Sequence, residues 1–130
     1  MAHVLLVDDD TQLLEANTIV LSANKHKVSH AHSGAEAREF LAKDKPDIVV
    51  LDVMMEDFDS GFELARHIGG SFPDLPMIML TGVYEYMDDA WKQSFDEDKS
   101  WLPVHRFMEK PVSPTVLLCE IESLLKDRRR

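Results

Sequence analysis

The sequence predicts an α/β fold, a five-stranded parallel sheet with helices on both faces. Two observations carry this expectation. Short apolar runs alternate five times with stretches of helical periodicity, and that alternation builds parallel sheets through crossover helices. The clearest runs, Val4-Leu5-Leu6-Val7, Ile48-Val49-Val50-Leu51 and Met77-Ile78-Met79-Leu80, are continuous, as in strands covered on both faces.

In chain order, the first strand is Val4 to Val7. Leu13, Leu14, Val20 and Leu21 then recur at helical spacing over residues 11–24. Lys27 to His32 reads as a weaker strand. Ser33-Gly34-Ala35-Glu36 has capping-box spacing, in which Ser33 and Glu36 satisfy each other's backbone donors; it opens a helix to about Asp44 with Phe40 and Leu41 inward. Asp47 to Asp52 is the third strand. Gly61 to about Gly70 is the third helix, stopped by Gly69-Gly70 and Pro73. Met77 to Leu80 is the fourth strand and Tyr84 to about Phe95 the fourth helix, followed by a polar loop from Asp96 to Pro103. Arg106 to Glu109 is the fifth strand. Ser113-Pro114 starts the fifth helix, where Leu117, Ile121, Leu124 and Leu125 share a face.

The bulk numbers narrow the function. A chain of 130 residues with no repeat or linker reads as one domain, 1–130, ending in a short basic tail. Its 24 acids against 14 bases give a net charge of −10, which argues against direct nucleic-acid binding. Cys119 has no internal partner, and its apolar neighbours suggest a buried thiol in a reducing compartment. No apolar run approaches the ~20 residues of a membrane span, and Asp8–Asp10 spoil a signal peptide, so a cytoplasmic location is expected.

Ligands of open α/β sheets bind beyond the carboxyl ends of the strands. There the chain carries Asp8-Asp9-Asp10 after strand one, Asp52 after strand three, Thr81-Gly82 after strand four and Lys110-Pro111 after strand five. Carboxylates gathered this way repel unless a cation shares them, and a hard ion such as Mg²⁺ suits oxygen ligands. Mg²⁺ usually adds phosphate oxygens to one or two carboxylates. Lys110 offers a charge and Thr81 a hydroxyl to further phosphoryl oxygens. Singly, each feature favours a structural reading: Asp10 or Thr11 as a helix N-cap, Lys110-Pro111 as a turn. Together, at the correct strand ends and in order, they favour a phosphoryl site.

The motifs LLVDDD (Leu5–Asp10), DIVVLDVMM (Asp47–Met55), GFELAR (Gly61–Arg66), PMIMLTG (Pro76–Gly82) and FMEKPVSP (Phe107–Pro114) make the chain resemble the receiver domain of two-component response regulators, from Val4 to about Lys126. The resemblance implies a doubly wound, flavodoxin-like sheet of order 2-1-3-4-5 with a cis Lys110-Pro111 bond. It implies that Asp8, Asp9, Asp52 and the Met54 backbone carbonyl bind Mg²⁺ (or Mn²⁺). Asp52 is then the phosphoacceptor from a sensor histidine kinase or histidine phosphotransfer protein. Thr81 and Phe107 are the switch pair, Lys110 the phosphate-facing lysine, and Met54, Gly82 and Val83 the positions that tune access. Phosphorylation would reshape the face of the fourth helix, fifth strand and fifth helix for a downstream protein partner.

The chain departs from the family pattern in places. Glu56 stands where the family usually has proline, and Asp59-Ser60-Gly61 carries an apparent extra residue. Thr81 and Lys110 are farther apart than is typical, with Trp101 in the added stretch, which reads as a longer surface loop. After the fifth helix only Lys126 to Arg130 remain, and no output domain is visible. His30 and His32 point to one face of an edge strand and, without a third ligand, are expected to be solvated. Three rival readings meet obstacles in the sequence. A degenerate interaction-only receiver is opposed by intact Asp52, Thr81 and Lys110. A haloacid dehalogenase-type phosphatase needs an aspartate where Met54 stands. A flavodoxin's phosphate would be repelled by Asp8-Asp9-Asp10.

Overall fold

The computed structural model describes residues 2–52, 60–72, 74–81, 106–109 and 112–128. Its elements are β1 (His3–Val7), α1 (Thr11–Ala23), β2 (Lys27–Ala31), α2 (Gly34–Lys43), β3 (Ile48–Asp52), α3 (Ser60–Ser71), β4 (Met77–Thr81), β5 (Arg106–Glu109) and α4 (Pro114–Arg128). The strands pair in parallel in the order β2-β1-β3-β4-β5. The expected order is therefore observed. The helix expected over Tyr84 to Phe95, the loop from Asp96 to Pro103 with Trp101, Glu56, and the Lys110-Pro111 bond lie outside the described residues.

Alternation of side chains along each strand divides the core in two. Leu5, Val7, Val49, Leu51, Met77 and Met79 face one way and pack with Ala37 and Leu41 of α2 and Leu64, Ala65 and Ile68 of α3. Val4, Leu6, Ile48, Val50, Ile78 and Leu80 face the other way and pack with Leu14 and Leu21 of α1 and Leu117, Leu118, Ile121 and Leu124 of α4. Continuous apolar runs are needed because β1, β3 and β4 have no solvent face; β3 is buried throughout.

The helix ends show what the local sequence does. Asp10 caps α1, its carboxylate accepting from the amides of Gln12 (3.0 Å) and Leu13 (3.2 Å). Ser33 caps α2 and accepts from Glu36 N–H at 3.2 Å, but Glu36 reaches back to the amide of His32 (2.6 Å), one residue before the expected one. Gly69-Gly70 does not stop α3, which runs on to Ser71. The fully buried Leu64, Ala65 and Ile68 anchor that helix on the sheet, and tertiary packing outweighs a glycine cost of about 1 kcal/mol each.

Cys119 corrects an expectation, because it is exposed. Leu117, Leu118, Ile121 and Leu124 define the inner stripe of α4, and position 119 falls on its outer side. His30 and His32 are both exposed, although His32 lies just beyond β2, the edge strand. His30 Nε2 sits 2.5 Å from Thr18 Oγ1 and His32 Nδ1 3.4 Å from Glu36 Oε2. No helix among the described residues is long and apolar enough to cross a membrane.

Candidate functional site

The site follows from register. Val7 of β1 is level with Leu51 of β3, so the next residues, Asp8 and Asp52, come level at the carboxyl edge of the sheet. Both have the parity of the side chains that face α1 and α4. Asp8 is 4% and Asp52 2% exposed, whereas Asp9 is exposed. One carboxylate oxygen from each of the three lies within 4.8 Å of those of the other two.

Local hydrogen bonds hold this arrangement. The Asp8 amide donates to Ala31 O (3.0 Å), carrying the β1–β2 ladder one residue past the strand. Asp8 Oδ1 accepts from the Asp10 amide at 3.0 Å, a two-residue aspartate turn that orients the buried carboxylate while Asp10 caps α1. Asp10 thus has the structural role, and its backbone also supports Asp8. That support escaped the sequence reading, although an aspartate two residues before an N-cap is the local signal for it.

Thr81 ends β4, one residue beyond Leu80, which is level with Asp52, and Thr81 is itself level with Glu109 at the end of β5. Thr81 therefore joins the same edge of the sheet. Phe107 lies inside β5, level with Met79. Met54, Gly82, Val83 and Lys110 lie outside the described residues. The three carboxylates fit a hard divalent cation: they offer only oxygen, two are withdrawn from water, and their mutual repulsion is relieved by a shared positive charge.

A family model described as the response regulator receiver domain matches residues 4–122. The response regulator MprA of Mycobacterium tuberculosis (strain ATCC 25618 / H37Rv) is 35% identical over 126 residues, covering 95% of this chain and 50% of that protein. Its namesake in Mycobacterium avium (strain 104) is 34% identical over 126 residues, covering 95% and 51%. The chain spans about half the length of the curated relatives it matches. Among solved structures, the receiver domain of a signal transduction histidine kinase from Syntrophus aciditrophicus superposes with a TM-score of 0.82 at 25% identity, covering 100% of this chain and 94% of that one. A CheY-like receiver domain protein from Methanospirillum hungatei JF-1 gives 0.82 at 24% identity, covering 99% and 97%, and shows the same fold.

Proposed function

Because the chain belongs to the response regulator receiver domain family of two-component systems, we propose that its acidic rim is a phosphoryl-transfer site with Asp52 as acceptor. One observation carries this reading: Asp8, Asp9 and the buried Asp52 present carboxylate oxygens within 4.8 Å of one another at the carboxyl ends of β1 and β3. Receiver domains are signalling domains that take phosphoryl groups from histidine kinases and bind Mg²⁺.

Asp8, Asp9, Asp52 and the Met54 backbone carbonyl are the groups that would hold Mg²⁺ or Mn²⁺. When bound, the ion neutralises charge on the phosphoryl oxygens. An Asp52 oxygen attacks the phosphorus of a phosphohistidine on a sensor kinase or phosphotransfer protein. The P–O bond forms as the P–N bond breaks, and its electron pair returns to the imidazole. Lys110 supplies positive charge to the loose, anionic transition state, Thr81 a hydroxyl donor, and Gly82 the space for the group. Movement of Thr81 toward the phosphoaspartate, with inward turning of Phe107, reshapes the face of β5 and α4 for a protein partner. The chain acts as one domain, 1–130, whose own catalysis is limited to this transfer and to loss of the phosphoryl group to water.

The test is to incubate the protein with a divalent cation and a small phosphodonor and weigh it intact. One phosphoryl mass should appear, only with metal, and none on Asp52→Ala. Equal labelling of Asp52→Ala would overturn the assignment.

A further inference from the structure

At the end of the sheet opposite the acidic rim, His26 joins the start of β1 to α4. Helix α1 closes on Asn24, and Lys25 takes a left-handed φ of 69°. Lys25 N–H then donates to Ser22 O (3.0 Å) and His26 N–H to Leu21 O (3.1 Å), a Schellman close with lysine at the usual glycine position. This turn folds the imidazole inward, where the side chain is 6% exposed. Ring Nδ1 accepts from the Ala2 amide at 3.1 Å, and Nε2 lies 3.2 Å from Glu122 Oε2 of α4. Ala2 is held on its other side by the Lys27 amide, which donates to Ala2 O at 2.8 Å.

An imidazole nitrogen that accepts carries no proton, so the ring proton sits on Nε2 and is donated to Glu122. We infer that His26 is a proton-operated clasp: neutral, it ties the start of β1 to α4, and protonated, it releases β1 and keeps only α4. A proton added from solvent at Nδ1 places two N–H donors against each other and ends the bond to Ala2. The same proton makes the Nε2–Glu122 contact charge-assisted. Glu122 is the charged group at the ring from α4; Lys25 and Lys27 flank it, exposed, on its own segment. Helix α1 and the lead into β1 present backbone groups, the Leu21 carbonyl and the Ala2 amide. Acidification, which supplies that proton, is the operating signal.

The test uses ¹⁵N-labelled full-length protein and two readouts. Long-range imidazole spectra at neutral pH should show His26 as the Nε2–H tautomer; an Nδ1–H tautomer overturns the proposal. Amide exchange, corrected for its intrinsic pH dependence, should show the Ala2 and Lys27 amides losing protection roughly tenfold on acidification, as expected when one buried hydrogen bond is lost. In His26→Gln, which accepts but does not titrate, that loss should vanish. An equal loss in the variant would assign the effect to other groups, such as His3, and overturn the clasp. Should the variant fail to fold, the tautomer and the wild-type exchange still decide.

Discussion

Asp9→Asn should raise the melting temperature of the metal-free protein. Asp9 is the exposed member of the triad, and no hydrogen bond from its side chain is found among the described residues, so the substitution acts through charge. The oxygens lie within 4.8 Å of one another, and at that upper bound each repelling pair costs about 0.9 kcal/mol in water and about 3.5 kcal/mol at an effective dielectric constant near 20. Asp9 loses two such pairs, with Asp8 and Asp52. Its exposure puts it near the aqueous figure, and physiological salt, with a Debye length of about 8 Å, screens roughly half of that. Partial burial of its partners pushes the other way, so relief of about 1–3 kcal/mol is expected, or about 3–10 °C for a domain of this size. Melting curves should be recorded in chelator at low salt and at ~1 M NaCl, where a Debye length of about 3 Å should close most of the gap. Mg²⁺ should reverse the order. At about 100 times its Kd it stabilises the wild type by about 2.7 kcal/mol, and it should raise the weaker-binding variant much less. A variant that melts at or below wild type in chelator at low salt would show that the three charges do not repel as their spacing requires. A wild-type curve unmoved by millimolar Mg²⁺ would point to Glu56 and its loop as having spoiled the site.

Asn17→Leu should stabilise the protein by about 1–3 kcal/mol, read as a higher melting temperature, because Asn17 is 4% exposed and its Oδ1, between the apolar Leu14 and Leu21, has no hydrogen-bond partner among the described residues; a lower melting temperature would mean that the amide is satisfied. Asp10→Ala should cost about 1 kcal/mol through the lost cap yet leave Mg²⁺ affinity nearly unchanged, and a tenfold loss of affinity by calorimetric titration would make Asp10 part of the site. Met54 and Val83 are apolar and cannot hold an attacking water, so the phosphoryl group on Asp52 should be long-lived and should decay faster in Met54→Asn and Val83→Glu. Wild-type decay as fast as both variants, followed by intact mass over time, would place the control of water elsewhere.

Much of this molecule is legible without coordinates. The apolar runs of β1, β3 and β4 are continuous because both their faces are buried, and that pattern names a parallel sheet before any contact is known. Caps were readable at Asp10, Ser33 and Ser113, because a short polar side chain before a helix bonds amides two or three residues on. Asp8, Asp9 and Asp52 are legible as a group because strand ends in such folds converge on one rim. Other features depend on what one segment meets in another. The glycine pair of α3 stays helical because Leu64, Ala65 and Ile68 are held by the sheet, a force that local propensity does not contain. Cys119 sits among apolar residues in sequence but on the outer side of α4 in space, since only the docking of that helix selects its inner stripe. The Asn17 oxygen, which has no partner among the described residues, and the bridge from Ala2 through His26 to Glu122 leave no mark in the sequence. Residues 24 and 96 positions apart meet only once the sheet has brought the start of β1, the close of α1 and the face of α4 together.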